Sequence, residues 1–369
     1  MGNVLLYYDP VFYAQEALII LEKQLGLAGR VHRGYDATPQ QKGSTINISK
    51  PATFTVQDAP GSDQDLNPEG VSIKLDHWRE VKFALNDKEL TFTKEKIIQD
   101  HIAPAAYALA DDIDQKLAAL YKDVPFYHGT AGTTPSDIAA ITGVKKVMRD
   151  NKVPFDGRTH LMINSATEDK FGQIFYNASV TGDQTTQKTG DFGVKFGLEI
   201  FTNQNSPDHT AGTLGSNGAV QGEHTAGATT VKIDVASGTY TLNKGDVVTF
   251  AGNTGKYVVQ ADANIGTAGT DVSIWPALTG DIADNAAVTV LGNHAVNIAF
   301  HRNAFALAMA PLSEMGKNLG AKIATITRND ITIRSRIWYV GDDSAVKVGL
   351  DVLYGVKTLD PYLAARLIG

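Results

Sequence analysis

Cysteine is absent from the 369 residues, so neither a disulfide nor a thiolate metal site can hold this chain together. A basic excess is also missing. There are 33 lysines and arginines against 40 aspartates and glutamates, a net charge of −7. That balance argues against a general nucleic-acid or anionic-membrane binder, which needs a basic face to meet phosphates. No apolar run approaches the ~18 residues of a membrane-spanning helix. The first 25 residues carry Asp9, Glu16 and Glu22 without an early basic cluster, which is not the pattern of a signal peptide. Tryptophan is scarce, at 3 residues, whereas glycine is plentiful at 35, a composition that suits many turns and short strands.

Catalytic and cofactor motifs are missing too. The 9 histidines are scattered, with no HExxH, HxH or nearby carboxylate trio, so each reads as a surface or partly buried side chain. No GxxxxGK[ST] occurs. Gly252–Lys256, GNTGK, is too short and lies among β-type runs, so it reads as a turn. No GxSxG is present. Asp191-Phe192-Gly193 copies a kinase tripeptide, but His301-Arg302-Asn303 follows it and lacks the catalytic aspartate. The glycine-threonine loop at 129–134, GTAGTT, could cradle an anion before a helix, a weak signal. The expectation is therefore no catalytic residue, no metal and no cofactor.

What is present is a long amphipathic pattern. In Lys94–Asp123, Ile98, Ile102, Ala105, Leu109, Ile113, Leu117 and Leu120 recur at steps of three and four, which stacks them on one helix face. Pro104 inside it predicts a kink or a fresh helix start at Ala103. The acid-rich stretch 109–116 reads as a solvated face. Before this helix, Asp9-Pro10 opens a shorter one with Ala14, Ala17, Leu18, Leu21 and Leu25 as its stripe and Gly26 at its end. The stripe must bury itself on its own subunit or on another chain.

Residues 44–94 read as one long β-hairpin, with Ile46, Ile48, Phe54 and Val56 on one arm and Val71, Ile73, Leu75, Val81, Phe83 and Leu85 on the other. Its tip, Asp58–Gly70, is acidic and turn-rich. Arms of about 13 residues would reach about 40 Å, and a two-stranded ribbon of that length needs a neighbour to lie on. Two strands of a larger internal sheet fit the pattern equally well. Further on, Thr134-Pro135 is expected to cap a helix carrying Ile138, Ile141, Val144 and Met148 on one face. Residues 159–164 form a buried strand, Ser165 and Glu168 a capping box, and Phe192–Ile200 an alternating strand.

The texture changes near Gly212. Residues 218–292 hold short β-type runs at Thr229–Val235, Asp246–Ala251, Lys256–Ala261, Val272–Ile274 and Ala286–Leu291, separated by turn residues. Seven acidic residues stand there against three lysines and no arginine. Even strand spacing over ~75 residues reads as a small β-barrel or sandwich inserted into a host domain, expected to fold on its own. The host resumes at Asn293 and ends on strands at 321–340 and 344–358.

The order of arm, hairpin, long helix, mixed domain with a β-insertion and returning strand resembles the major capsid protein of tailed bacteriophages, of the Hong Kong 97 type. Particular phrases carry the resemblance: TINISKPATF leading to EGVSIKLDHWREVKFALNDKELTF, EKIIQDHIAPAAYALADDIDQKLAALY, NIAFHRNAFALA, and SAVKVGLDVLYGVKTLDPYLA. The insertion, with KGDVVTFAG at 244–252, resembles that of podovirus coat proteins. The resemblance implies an α+β fold with an N-terminal arm at 1–41 and an extended loop at 42–94. It implies a peripheral domain at 95–151 plus 341–369, an axial domain at 152–217 plus 293–340, and an inserted β-barrel at 218–292. It implies a structural role: self-assembly into hexameric and pentameric capsomers and an icosahedral head shell around double-stranded DNA, in the bacterial cytoplasm.

The implied partners are further copies, a separate scaffolding protein, the portal protein and, as a further candidate, a head decoration protein. DNA is enclosed without sequence-specific binding, and no membrane is involved. Only about 40 residues precede the hairpin, too few for a built-in scaffold, so the N-terminus is expected to be retained. Candidate assembly contacts are Leu18, Leu21 and Leu25 in the arm, Asp58, Asp63, Asp65 and Glu69 in the tip, and Asp262 and Asp271 in the insertion. The competing readings are a carbohydrate-active or carbohydrate-binding protein, with 218–292 as a β-sandwich module, and a tail or baseplate protein. Against the first, the module offers only Trp275, Tyr240 and Tyr257 for sugar stacking.

Overall fold

The computed structural model describes residues 10–35, 40–49, 58–59, 70–86, 98–176, 190–314, 320–341 and 345–369. In chain order, α1 (Pro10–Gln24) leads to β1 (His32–Tyr35), β2 (Thr45–Ser49), β3 (Gly70–Lys74) and β4 (His77–Asn86). A π-helical turn at Ile98–Ile102 runs into α2 (Ala103–Ala118) and a 3-10 turn at Ala119–Asp123. Next come β5 (Tyr127–Gly129), α3 (Ile138–Asp150), β6 (Thr159–Ile163), α4 (Ser165–Phe175), β7 (Val194–Lys195), β8 (Leu198–Thr202) and β9 (Asp208–His209). The inserted region contributes β10 (Gly218–Val220), β11 (Thr230–Val235), β12 (Tyr240–Leu242), β13 (Val247–Phe250), β14 (Tyr257–Val259), β15 (Ala263–Ile265), β16 (Thr270–Trp275) and β17 (Ala287–Val290). The chain closes with β18 (His294–His301), β19 (Phe305–Met309), β20 (Lys322–Arg328), β21 (Ile331–Val340), β22 (Ala345–Thr358) and β23 (Ala364–Ile368). Two compact units result: Met1–Leu117 with Ala306–Leu359, and Ala118–Phe305 with Asp360–Gly369.

In the first unit, β1, β19, β22, β21 and β20 form one sheet, which β4 joins on β22. Pairing of β4 with β22 is long and antiparallel, from Ala345↔Asn86 to Tyr354↔His77. This departs from the single hairpin expected at 44–94. The return arm breaks at Leu75-Asp76, so only β2 and β3 pair with each other, from Thr45↔Lys74 to Ser49↔Gly70. The break follows from burial: Ile73 and Leu75 sink into a core with Ala306, Ala308, Ala310 and Leu353, which anchors β3 and turns β4 into the larger sheet. Phe54, Val56 and most of the tip lie outside the described residues.

Helix α1 packs on β20 and β21 through its predicted stripe. Leu18, Leu21 and Leu25 are 2%, 0% and 7% exposed, so they serve the chain's own core and offer no surface to a partner. The α-helical geometry of α2 begins at Ala103, with Pro104 in its first turn, directly after the π-helical turn at Ile98–Ile102. Ile102, Ala105, Leu109, Ile113 and Leu117 are all buried.

The acid-rich stretch is not simply a solvated face. Asp114 is 4% exposed, and its carboxylate accepts from the backbone N–H groups of Gly26 (2.9 Å), Leu27 (3.2 Å) and Ala28 (3.1 Å). It thereby satisfies the chain where α1 ends and ties that end to α2. Asp112 accepts from Tyr354 Oη (2.5 Å) and Arg79 Nε (3.0 Å), and lies on the same helix.

The second unit is built on the sheet β5-β23-β18-β6-β8-β7, with β9 added to β18. Helices α3 and α4 pack on it around Ile141, Val144, Met148, Leu161, Phe171, Phe175 and Leu198. Two helix starts differ from expectation. Asp137, not Thr134-Pro135, caps α3 by accepting from Ala140 N (2.8 Å), and Asn164, one residue before Ser165, caps α4 by accepting from Thr167 N (2.9 Å). Phe192–Ile200 is not one strand. It turns at Phe196 (φ 54) and Gly197 (φ 81), and this left-handed pair makes a tight hairpin of β7 and β8.

The insertion is a closed six-strand barrel in the order β10-β11-β16-β14-β13-β17, with β12 and β15 paired beside it. Its core holds Val220, Val231, Ile233, Leu242, Val248, Phe250, Tyr257, Val259, Ile274 and Val288. Leu214, four residues before β10, is part of the same core at 0% exposure, so the packed module reaches back past residue 218.

The Asp114 anchor gives a direct expectation. Asp114→Ala strands three backbone donors in a buried turn and should cost the first unit about 2–4 kcal/mol. Amide exchange should show the loss at residues 26–28 and along α1, and unchanged protection there would contradict the assignment.

Candidate functional site: the buried joint of the inserted barrel

The chain leaves the host sheet at β9, makes the barrel, and returns at β18. His209 ends β9 and His294 opens β18, and the two pair directly across the strands. Their rings stand 5.0 Å apart. From the barrel, the turn before β13 brings Lys244, Gly245 and Asp246 to this point, and β23 brings Arg366. Tyr121 arrives from the 3-10 turn. Here Gly212 has no room for a side chain: a Cβ would lie 2.1 Å from the carbonyl oxygen of Thr241.

Asp246 is the centre of the joint. It is 0% exposed. Oδ1 lies 2.8 Å from His209 Nε2, and Oδ2 accepts from Gly212 N (3.0 Å) and Asn243 N (2.7 Å). A carboxylate only accepts, so His209 Nε2 carries the proton it donates. In the neutral imidazole, Nδ1 is then an acceptor for Tyr121 Oη at 2.9 Å.

Tyrosine, histidine and carboxylate thus stand in the order of nucleophile, base and orienting acid. Chemistry on an external substrate does not follow. Tyr121 and His209 are each 3% exposed, and burial raises the Tyr121 hydroxyl above the ordinary phenol range, the reverse of activation. The triad is a structural fastening.

Arg366 supplies the cation. It is fully buried, donates Nη2 to Gly245 O at 2.9 Å, and lies with its guanidinium 5.0 Å from the Tyr121 ring. Burial pushes it down to about 10, so it stays charged at neutral pH. Its Nε and Nη1, and Nε2 of His294, have no protein partner. His294 Nδ1 stands 2.7 Å from Gly292 O, so it is the protonated nitrogen of the neutral ring. Burial first, then the nearby Arg366 and His209, pushes His294 down to about 4.

A second contact seats the barrel along its other edge. Lys256 Nζ donates to Tyr127 O at 3.0 Å and lies 3.7 Å from the Tyr127 ring centroid, and burial lowers its pKa. The GNTGK segment therefore ends in a packing lysine. Trp275 stands edge-on to Tyr362 at 5.0 Å and to Phe126 at 6.4 Å. Tyr257 is buried in the barrel core, and Tyr240 packs against that core. The three aromatics that a sugar-stacking face would need are thus committed to the chain's own packing.

The remaining predicted positions do not converge. Asp58 is exposed, whereas Asp63, Asp65 and Glu69 lie outside the described residues. Asp262 and Asp271 are both exposed on the barrel; Asp262 accepts from Lys244 N at 2.6 Å. The 129–134 loop does not lead into a free helix N-terminus, because the Asp137 carboxylate already occupies the start of α3. The histidines are more buried than expected. His160 pairs with Glu199 (2.8 Å) and His301 with Asp156 (3.1 Å), while His209 and His294 form the joint. Among the described residues no group of three or more His, Asp and Glu side chains is placed to hold a metal. Little in the sequence pointed to the joint, because its residues are spread from 121 to 366; the one cue was that His209 and His294 flank the insertion.

No known protein-family model matches the chain, and no curated protein matches it. Solved structures similar to it include chains from bacteriophages. A Mycobacterium phage Che8 chain has 15% identity and a TM-score of 0.47, over 88% of this chain and 84% of that one. A chain from the capsid of cyanophage P-SCSP1u has 13% identity and a TM-score of 0.46, over 90% and 85%. One from the mature capsid of bacteriophage PhiM1 has 12% identity and a TM-score of 0.44, over 91% and 85%. These are loose superpositions spanning most of each chain.

The joint predicts an asymmetry between its two charges. Asp246→Ala removes the acceptor of three donors and one of the two carboxylates near Arg366. It should cost about 3–5 kcal/mol, as for a broken buried pair. Arg366→Met takes two unpartnered N–H groups away with the charge and should cost less. Urea unfolding of the full chain, followed by amide exchange in β13 and β23, checks the order. Equal losses for the two variants would contradict it.

Proposed function

We propose that this chain is the major capsid protein of a tailed bacteriophage, a structural protein of the Hong Kong 97 type that self-assembles into the head shell around double-stranded DNA. The observation that carries the reading is the chain order of the elements, joined to the quoted sequence phrases. A two-stranded ribbon, β2 with β3, precedes a helical run from Ile98 to Asp123. A returning C-terminal strand, β22, pairs with the strand that leaves the ribbon, β4. A closed barrel interrupts the second sheet.

The ribbon belongs to no larger sheet among the described residues, and such a ribbon is marginally stable by itself. Its base is held by Ile73 and Leu75 in the chain's own core, with Ile46 and Ile48 packed on it, so the proposed contact with a neighbouring copy in a capsomer falls to the loop beyond. On this reading residues 1–41 are the arm and 42–94 the extended loop. The peripheral domain is 95–151 with 341–369, and the axial domain is 152–217 with 293–340. Asp58, Asp63, Asp65 and Glu69 at the loop tip, and Asp262 and Asp271 on the barrel, are the proposed contacts between copies. Hexameric and pentameric capsomers, a separate scaffolding protein, the portal and a head decoration protein are the proposed partners. The virion capsid, assembled in the bacterial cytoplasm, is the proposed location. The role requires no catalysis, and the acidic balance suits a shell that confines DNA without gripping it.

Shortening residues 57–70 to a tight turn tests the role of the ribbon. The variant should remain folded, because the β3 anchor at Ile73 and Leu75 lies outside the deletion. It should form no regular shells by negative-stain microscopy under conditions where the unaltered chain does. Normal shells from the variant would overturn this part of the reading.

A further inference from the structure

The joint contains one imidazole whose surroundings accept only its neutral form. His294 is 4% exposed, and its tautomer is set by the carbonyl of Gly292, 2.7 Å from Nδ1. Nε2 is therefore a lone pair with no protein donor. A second proton at Nε2 would turn that acceptor into a donor inside the protein. It would also place a positive charge in the field of the fully buried Arg366.

The charged and titratable groups facing His294 are Arg366 from β23, His209 from β9 and Asp246 from the barrel turn. Farther out, Asp123 lies near Arg366 and pairs with Lys244 at 3.6 Å, and Asp208 lies near Tyr121. Asp246 is the one carboxylate among the groups acting on His294, and it is already engaged by His209, Gly212 and Asn243. A protonated His294 therefore has no carboxylate of its own.

We propose that the joint is an acid-released seat: protonation of His294 unfastens the barrel turn at Asp246 and Gly245 from the host sheet, while the closed barrel stays folded on its own core. The inference rests on the joint alone and is independent of the capsid reading. The direction follows from linkage. A seated His294 titrates below its ordinary value, near 4 against 6.5. From pH 6.5 down to about 4, the unseated form takes up a proton that the seated form refuses. Seating is therefore favoured above pH 6.5, weakens through this window, and levels off below it.

Hydrogen exchange on the full chain reads the seat directly. The amide of Gly212, on the segment that leaves β9, donates to Asp246, whereas Asn243 donates to it from within the same barrel turn, and Ile274 and Leu278 bond within the barrel to Thr229 O and Ala228 O. After correction for intrinsic rates, protection at Gly212 should fall on the order of a hundredfold relative to Asn243, Ile274 and Leu278 between pH 6.5 and 4. His294→Asn keeps a donor for Gly292 O and cannot titrate, so its protection ratio should stay flat. Should that variant fail to fold, the His294 ring titrated by NMR in the unaltered chain must share the midpoint of the protection loss. A flat ratio in the unaltered chain would overturn the proposal. So would a parallel loss in His294→Asn, which would assign the release to Asp246, or two different midpoints.

Discussion

A carboxylate taken out of water must find every hydrogen bond it gives up, and three buried aspartates impose that constraint on this chain. Asp114 holds the turn after α1 by three backbone N–H groups. Asp351, at 0% exposure, accepts from Arg334 Nε at 2.9 Å and from Trp78 Nε1 at 3.1 Å, binding β21 and β4 to β22 across the sheet. Asp246 fastens the barrel to its host. Each joins segments far apart in sequence, and each would be costly to leave half satisfied. Apolar burial supplies most of the stabilisation in the cores, but it is tolerant of register. The aspartates accept from particular donors, which makes them the selective part of the fold.

That division explains what could be read from the residues. Periodicity located α2, including its start at Ala103 beside Pro104, because a stripe of apolar side chains and a proline act locally. The barrel strands fell close to their predicted runs for the same reason. The hairpin at 44–94 was only half legible. Alternation continues through Leu75 and Val81, and nothing in the pattern says that Ile73 and Leu75 enter one core while β4 leaves to pair with β22. The helix caps slipped by one to three residues because aspartate and asparagine competed with nearby threonine and serine for the same backbone donors. Only the placement of His209 and His294 on either side of the insertion pointed to the joint. Its members come from separate segments between Tyr121 and Arg366, and long-range polar contacts leave no period to detect.

The joint also bears on what an inserted domain is. A module with a closed sheet and its own core could hang from two flexible strands. Here it is fixed twice, by His209 on Asp246 and Arg366 on Gly245 O, and by Lys256 and Trp275 against Tyr127, Phe126 and Tyr362. Residues that would otherwise serve a binding face are spent on this seating.

Self-association is the property on which the capsid reading stands. Sedimentation velocity of the purified, unaltered chain over a range of concentrations measures it most directly. The account predicts that monomer converts to species of five or six copies and then to much larger, closed particles. A single monomer boundary at every concentration, under crowding conditions as well, would contradict it.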